Sequence, residues 1–222
     1  MRPEELVARH PRLYHMAEAG SWASIRELGL LTTAQIVAAC RARPAVREAV
    51  LDRRRTSGHV LHHPVHGRIV VRDQGPLVEG RLATLLVDMT VPEWLHELNS
   101  RVFFWVDEAK LVGLLSARRY GERDHDVLVV DTAELLAAHA DGVRLTTMNT
   151  GATTRFANCP RRGRDTFMTV PDFPSGERRT TGSRRTGIVE LAVTGGVPDV
   201  ADLVVRVERR RGAGRGAVVW SR

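Results

Sequence analysis

LYHMAEAGSWASIRELGLLTT, which runs from Leu13 to Thr33, joins a strand pattern to a helix pattern. Its first four residues predict a short apolar strand that carries one histidine. Ser21 to Leu28 predict a helix, because apolar residues recur there at helical spacing, and Ser21 is suited to its N-cap. Gly29 predicts the end of this helix, since glycine readily takes the positive φ found at helix C-termini. The rest of the chain is organised around this unit of strand, histidine, helix and Gly-Leu turn.

The composition indicates one domain with an anionic partner. The chain has 222 residues, of which 43% are hydrophobic, so it can bury a sizeable core, and we expect a single domain over residues 1–222. The formal net charge is +7, which favours a partner such as nucleic acid or a dinucleotide. Lys110 is the only lysine, and the many arginines suit bidentate binding of phosphate.

The sequence predicts neither a bound metal nor a membrane segment. Cys40 and Cys159 lie far apart without metal-ligand spacing, and His62 and His63 have no carboxylate or cysteine at such a spacing. The N-terminus lacks an apolar run of signal-peptide length, and no stretch approaches the roughly 20 apolar residues that span a bilayer. These features predict a cytoplasmic protein with two reduced cysteines.

The remaining sequence contains both helix and strand patterns, which predicts an α+β fold. The predicted helices are Pro3–His10, Thr33–Cys40, Pro44–Leu51, Leu82–Met89, Val91–Leu98, Glu108–Arg119 and Thr132–Ala140. The predicted strands are Arg101–Val106, Asp126–Asp131, Val143–Met148, Gly187–Val193 and Leu203–Val207, with a hairpin over His59–Val71 and a polar turn at Arg72–Pro76. Thr33 and Thr132 are expected to cap the helices that they begin.

Several polar or aromatic features have a structural and a functional interpretation. Glu190 lies inside an apolar strand, where it either carries chemistry or faces solvent on an edge strand. The run Arg53–Arg55 is either a solvated helix end or a phosphate-binding group. The aromatic residues of Arg101–Val106 either fill the core or stack on a ligand. The basic stretch Arg155–Phe167 indicates a functional loop, and Pro174–Arg185 has the composition of a mobile connection.

One motif of the opening stretch resembles a known family. It consists of an aromatic residue and a histidine, about six further residues and apolar-x-x-Ile-x-x-x-Gly-Leu, here Tyr14, His15, Trp22, Ile25, Gly29 and Leu30. This pattern resembles the first motif of ADP-ribosyltransferases of the histidine class, and most closely that of DarT-type enzymes, which modify DNA bases. The resemblance implies an α+β fold with a split, two-sheet core and surrounding helices, and it implies NAD as a substrate. A core histidine beside an amphipathic helix is the plainer interpretation.

The resemblance also implies roles for single residues in binding NAD. His15 would hydrogen-bond a ribose, and Ser21 would stand where many DarT-like motifs have an asparagine. Arg54 or Arg55 would contact the phosphates, because in these enzymes an arginine follows the helices after the first motif. The strand Arg101–Val106 would supply the stacking partner of nicotinamide, which is Phe104 or Trp105 in this chain.

Glu190 resembles the catalytic glutamate of the same family. The order apolar-Glu-apolar-x-Val, a turn, Val-Pro and a closing strand is similar to the end of DarT-type domains. Breaking the bond between nicotinamide and ribose develops an oxocarbenium-like cation, which a carboxylate can stabilise, much as carboxylates do in glycosidases. This chemistry requires no metal.

The acceptor of ADP-ribose stays open at the level of the sequence. The positive charge favours a nucleic acid base, but we find no aromatic-Asn-Pro-Arg segment, which in the family helps to form the DNA-facing side. One alternative is a non-catalytic nucleic-acid-binding module, supported by Arg161–Arg164 and Arg206–Arg215. The other is NAD hydrolysis, or transfer to a protein or small molecule. A DarT-like toxin would also imply a partner antitoxin.

Overall fold

The computed structural model describes residues 1–153, 159–174 and 187–222 and confirms the mixed α+β class. Its strands are β1 (Arg12–Glu18), β2 (His59–His63), β3 (Gly67–Val71), β4 (Arg101–Trp105), β5 (Asp124–Asp131), β6 (Val143–Thr146), β7 (Glu190–Thr194), β8 (Val204–Arg211) and β9 (Ala217–Ser221). Its α-helices are α1 (Pro3–Arg9), α2 (Trp22–Leu28), α3 (Thr33–Ala39), α4 (Pro44–Leu51), α5 (Glu79–Leu85), α6 (Val91–Asn99), α7 (Glu108–Leu115), α8 (Thr132–His139) and α9 (Val200–Leu203).

Seven strands form one antiparallel sheet in the order β6-β7-β4-β1-β5-β8-β9, and β2 and β3 form a separate hairpin. β1 lies in the middle of the large sheet, with three strands on each side. It pairs with β5 along its whole length but meets β4 at one residue pair, Tyr14 and Trp105. The large sheet is therefore nearly divided between β1 and β4, although its strands remain in one hydrogen-bonded order.

Helix α2 follows β1 as predicted, but the side chain of Ser21 does not cap it. Ser21 occupies the N-cap position without a side-chain hydrogen bond. The buried carboxylate of Asp126, on β5, instead accepts hydrogen bonds from the N–H groups of Gly20 and Trp22, at 2.8 and 3.4 Å. A carboxylate also interacts favourably with the positive end of the helix dipole. The start of α2 is thus attached to the neighbouring strand.

Gly29 ends α2 with a φ of +80°, as the sequence predicts. A Cβ atom at this position would lie 2.5 Å from Cα of Pro198, so a larger residue would force the backbone to move. Leu30 and Val197 then exchange two backbone hydrogen bonds of 2.9 Å. This tight contact fixes the Gly-Leu turn to the loop that follows β7.

Several element boundaries differ from the sequence predictions for local reasons. Thr32 and Asp131 cap α3 and α8, in place of Thr33 and Thr132, because each side chain reaches backbone N–H groups of the first turn. Helix α5 begins at Glu79, earlier than expected, and ends at Leu85. Strand β9 is not among the sequence predictions; it pairs with β8 at the edge of the sheet, and its residues are mostly exposed.

Two hydrophobic clusters matter for the position of the site. The main core joins the large sheet to α1, α2, α8 and α9. A smaller cluster joins α3, α4 and the hairpin, through Val37, Val50, Leu51, Leu61 and Val71. The small cluster holds the β2–β3 hairpin as a separate wall beside β1. None of the described helices is long and apolar enough to cross a membrane.

Candidate functional site

A cavity of about 340 Å³ lies where the large sheet is nearly divided. Its walls come from β1, α2, α3, β3, β4, residues 149–151 and the first residue of β7. Small-molecule sites typically have volumes of roughly 300 to 1,000 Å³, so the cavity is large enough for a ligand. It is lined by four of the residues selected from the sequence, namely His15, Ser21, Arg55 and Glu190.

His15 offers an unprotonated ring nitrogen to the cavity. Its Nδ1 lies 2.9 Å from the carbonyl oxygen of Phe103, and a carbonyl only accepts, so Nδ1 carries the proton. Burial lowers the pKa of His15 to about 4, and the positive charge of Arg72 acts in the same direction. The hydrogen bond to Phe103 acts in the opposite direction but is the weaker effect. The ring is therefore neutral at pH 7. Its Nε2 has no partner among the described residues and can accept a hydrogen bond from a hydroxyl group.

Glu190 lies on an interior strand of the sheet, which excludes the interpretation as a solvated residue of an edge strand. Its side chain is 6% exposed, and Oε2 accepts hydrogen bonds from the N–H and hydroxyl of Thr150, at 3.0 and 2.8 Å. Oε1 has no hydrogen-bond partner among the described residues. Burial raises the pKa of Glu190 to about 7, against the effects of Thr150, Arg162 and Lys110. The carboxyl group therefore titrates near neutral pH.

Arg55, one of two arginines suggested by the sequence, lines the cavity and Arg54 does not. The Arg55 guanidinium is buried and donates to the carbonyl of Arg72 and the side-chain oxygen of Asn99, both at 2.8 Å. Burial lowers its pKa to about 10, so it remains charged at pH 7. Arg54 instead donates to the carbonyl of Gly75 at 3.0 Å, which turns its guanidinium away from the ligand space.

Three further arginines line the cavity, and the sequence patterns do not single them out. Arg72 lies with its guanidinium 4.7 Å from the ring centre of Tyr120 and donates to the Met16 carbonyl at 3.2 Å. Arg101 lies 4.3 Å from the ring centre of Phe167, and its buried Nε has no partner among the described residues. Arg68 is exposed at the rim. Arg68 lies 3.8 Å from Glu18, and Arg101 forms an ion pair with Glu97. Arg55 and Arg72 form no ion pair with a carboxylate among the described residues, so these two supply the unpaired positive charge of the wall, which suits phosphate.

The aromatic residue that faces the cavity is Phe103, and neither Phe104 nor Trp105 lines it. Phe104 is fully buried in the main core, where its ring centre lies 5.7 Å from that of His15. Trp105 packs on the hydrophobic cluster beneath α7. Side chains alternate along a strand, so Phe104 points to the opposite face from Phe103, whereas Trp105 shares the face of Phe103 but lies further along the strand. All three neighbours are aromatic, and the sequence alone did not select among them.

Many arginines of the basic segments that favoured a nucleic-acid surface are buried or paired with acids. Arg162 is 2% exposed, and Arg206, Arg209 and Arg210 form ion pairs with Glu208 or Asp126. These side chains therefore do not present free charge to a partner, whereas Arg161, Arg211 and Arg215 are exposed without an ion pair among the described residues. Arg155 and all of the predicted connection Pro174–Arg185 except Pro174 lie outside the described residues.

Thr150 is a site residue that the sequence does not single out. It follows β6 in the turn Asn149–Gly151, and its contact with Glu190 depends on β6 and β7 being adjacent. The position of Thr150 in a turn immediately after a predicted strand was a weak sequence signal for a residue at the site. Arg72 had a similar signal, because it begins the polar turn after the hairpin.

The cavity combines groups for an anionic ligand that carries hydroxyls. The arginines can bind phosphate, His15 can accept from a hydroxyl, and Glu190 can stabilise a developing positive charge. Ile25, Leu28 and Val70 add apolar wall for a flat ring. Within residues 1–153, 159–174 and 187–222, no group of three or more His, Cys, Asp or Glu side chains is arranged to hold a metal ion.

Comparison with known proteins gives a family without an assigned activity. No curated protein matches the sequence. Residues 11–204 match the model of a family described as a family of unknown function, DUF7002. The matched range begins just before β1 and ends at the first residue of β8, so it contains every residue that lines the cavity. The chain therefore belongs to the DUF7002 family.

Proposed function

We propose that the protein is an NAD-dependent ADP-ribosyltransferase that binds NAD in this cavity. The observation that carries the proposal is the convergence of a neutral histidine, a buried glutamate and several arginines on one ligand-sized space. The motif of Leu13–Leu31 supplies the reaction class by resemblance. The near division of the sheet at β1 and β4 agrees with the split core that the resemblance implies.

A ribose, the pyrophosphate and the nicotinamide ring of NAD each have a matching group in the cavity. Nε2 of His15 accepts a hydrogen bond from a ribose hydroxyl, and Arg72 and Arg101 bind the pyrophosphate. Phe103 takes the stacking role that the resemblance gives to its neighbours Phe104 and Trp105. The charges of Arg55 and Arg72 offset the two negative charges of the pyrophosphate inside a partly enclosed space, where charge pairs are stronger than in water.

Glu190 acts at C1′ of the ribose, where the bond to nicotinamide is replaced by a bond to the acceptor. The bond between C1′ and nicotinamide breaks, and nicotinamide leaves with the electron pair. The ionised carboxylate stabilises the resulting cation at C1′ through Oε1, while Thr150 holds Oε2. The acceptor then forms a bond to C1′ with its own electron pair and loses its proton to water. Because the carboxylate must be ionised, we expect the activity to rise as the pH increases through about 7.

We infer a nucleic acid base as the acceptor. The net charge is +7, and the exposed side chains of Arg41, Arg43 and Arg47 have no ion pair or hydrogen bond among the described residues. These arginines surround the turn between α3 and α4, and α3 also contributes Thr33 and Ile36 to the cavity wall. A strand of nucleic acid held at this turn would thus lie on an element that borders the NAD site.

A binding measurement and a turnover measurement test the proposal together. We expect isothermal titration to show saturable NAD binding that His15→Ala removes and His96→Ala retains, since His96 is exposed on α6. Glu190→Gln should bind NAD but release no nicotinamide, whereas the exposed control Glu122→Gln should release it normally. Absence of NAD binding by the wild-type protein at millimolar concentration would refute the proposal.

The same assay separates transfer from its alternatives. Nicotinamide release that depends on added single-stranded DNA or RNA, with ADP-ribose attached to the strand, supports transfer to a base. Release without an acceptor, with free ADP-ribose as product, indicates an NAD glycohydrolase. Nucleic-acid binding that is steeply salt-dependent but indifferent to NAD indicates a non-catalytic module.

A further inference from the structure

Arg162 is a buried cation outside the cavity. It is 2% exposed, and it forms no ion pair with a carboxylate among the described residues. Its Nη1 donates to the Thr150 carbonyl at 3.0 Å, and its Nη2 donates to the Ala152 carbonyl at 3.3 Å and to Sγ of Cys159 at 3.1 Å. Burying a guanidinium without a counter-ion is costly, so its location calls for a role.

The segment that Arg162 holds is the same segment that holds Glu190. Thr150 receives a hydrogen bond from Arg162 at its carbonyl, and it donates its own N–H and hydroxyl to Oε2 of Glu190. Arg162 also contacts Ala152, two residues further along, so its planar fork spans the turn. The guanidinium lies 5.8 Å from the ring centre of Trp94, a fully buried residue of α6, which gives it a fixed support.

We propose that Arg162 is a positioning residue for Glu190, acting through Thr150. It fixes the Thr150 turn so that Oε2 is held and Oε1 remains directed at the ligand space, and its charge favours the ionised carboxylate. The inference rests on the proposed function in one respect, namely that the Glu190 carboxylate acts in the transfer of ADP-ribose. The connection itself is a property of the structure and does not depend on the substrate.

Other charged groups around Glu190 must be included in any pH argument. Lys110, on α7, donates to the Ile188 carbonyl at 2.9 Å, and its charge also favours the ionised form of Glu190. The groups that line the cavity with Glu190 are His15, Glu18, Arg55, Arg68, Arg72, Asp73 and Arg101. These groups stay the same when Arg162 is replaced, so a change in the titration of Glu190 reports on Arg162.

A direct titration of Glu190 tests the inference in the complete protein. Glutamate labelled with ¹³C at the carboxyl carbon gives one resonance per residue, and the Glu190 resonance is the one absent from Glu190→Gln. We expect its midpoint to rise by about one pH unit in Arg162→Met, because a nearby positive charge is lost. Arg162→Lys should keep the wild-type midpoint, since it keeps the charge. Arg164→Met, whose side chain is exposed and pairs with Glu93, should also leave the midpoint unchanged.

Turnover supplies the second readout. Arg162→Lys should lower kcat for nicotinamide release by about tenfold with little change in KM, because an ammonium group lacks the planar fork that spans the turn. An unchanged Glu190 midpoint in Arg162→Met would overturn the inference. If Arg162→Met does not fold, wild-type kcat in Arg162→Lys would overturn it. A wild-type protein without NAD turnover would refute the proposed function, while the titration would still decide the role of Arg162.

Discussion

Glu190 is a buried carboxyl group, and burial opposes its ionisation. Burial raises its pKa from the ordinary value of 4.5 to about 7 in the folded protein. This change corresponds to a free energy on the order of 3 kcal/mol. Since the folded pKa is the higher one, the folded state binds the proton more tightly than the unfolded state. The stabilising contribution is complete below pH 4.5 and is lost as the pH rises through about 7.

Glu190→Gln should therefore stabilise the protein at alkaline pH while it abolishes turnover. The neutral amide keeps an oxygen that can accept from Thr150 and avoids the cost of a buried charge. Urea unfolding should show a gain of roughly 1–3 kcal/mol at pH 8 and almost none at pH 5. The exposed control Glu122→Gln should show no such difference between the two pH values. Equal effects at both pH values would contradict the raised pKa of Glu190.

Thr150→Val should shift the pH dependence of turnover to higher pH. The substitution keeps the side-chain shape and the backbone N–H but removes the hydroxyl that donates to Oε2 at 2.8 Å. Losing a donor to the ionised form raises the pKa of Glu190 further. We expect kcat at pH 7 to fall about fivefold or more and to recover at pH 9, since a hydrogen bond to a charged group contributes about 1.5–3 kcal/mol. Thr84→Val, on the exposed face of α5, should leave the pH profile unchanged.

At the scale of elements, the unit of β1, α2 and Gly29 depends on contacts with distant parts of the chain. Asp126 from β5 holds the start of α2, and Pro198 packs against its end. Local sequence predicts the helix, because its spacing and its terminal glycine are local signals. Its orientation comes from these two tertiary contacts, and that orientation makes α2 a wall of the cavity.

Gly29→Ala should destabilise the protein more than Gly20→Ala, although both glycines have φ near +80°. Each substitution incurs the cost of a positive φ, roughly 1–3 kcal/mol. Only at Gly29 does the new methyl group meet backbone, 2.5 Å from Cα of Pro198, whereas nothing lies within 4 Å at Gly20. Overpacking adds about 1–3 kcal/mol. Thermal or urea unfolding of the two variants side by side provides the measurement, and equal losses would contradict the contact with Pro198.

At the scale of the whole molecule, the net charge of +7 is not spread evenly over free side chains. Arg206, Arg209 and Arg210 of β8 pair with acids, and Arg162 is buried, so they contribute little to an external field. Arg41, Arg43 and Arg47 remain exposed and unpaired within the part of the chain that the structure describes. Arg161, Arg211 and Arg215 are also exposed without an ion pair among the described residues, but the turn between α3 and α4 lies on a helix that borders the cavity. We therefore expect a nucleic acid to bind at this turn.

Replacing Arg41, Arg43 and Arg47 by alanine should weaken binding of single-stranded DNA. Each lost phosphate contact should reduce the slope of log K against log salt by about 0.7, so the triple variant should lose about 2. NAD binding should be unchanged, because these residues do not line the cavity. Arg164→Ala with Arg222→Ala is the matched control, since both side chains are exposed but paired with Glu93 and Glu134. Fluorescence anisotropy over a range of salt concentrations would reveal the difference, and an unchanged slope would remove this surface from consideration.

The sequence predicted the elements better than it predicted the site. The core strands β4, β5 and β7, the hairpin and helices such as α4 follow from apolar runs, alternation and helical spacing, which are local properties. The caps at Thr32 and Asp131 were missed by one residue, because neighbouring polar side chains are equally suited to the position. His15 and Glu190 were found through a resemblance that depends on order along the chain.

The sequence by itself determined that a histidine would lie on a core strand before a short helix with a glycine end. It also placed an acid in an apolar strand, although β7 begins at Glu190 and not at Gly187 as predicted. Both are consequences of local periodicity and backbone preference. Only the tertiary structure decided that Phe103 and Arg72 would face the cavity and that Thr150 and Arg162 would support Glu190. The physical reason is that strand register and the pairing of distant strands set which side chains meet, and neither is encoded within a single stretch of sequence.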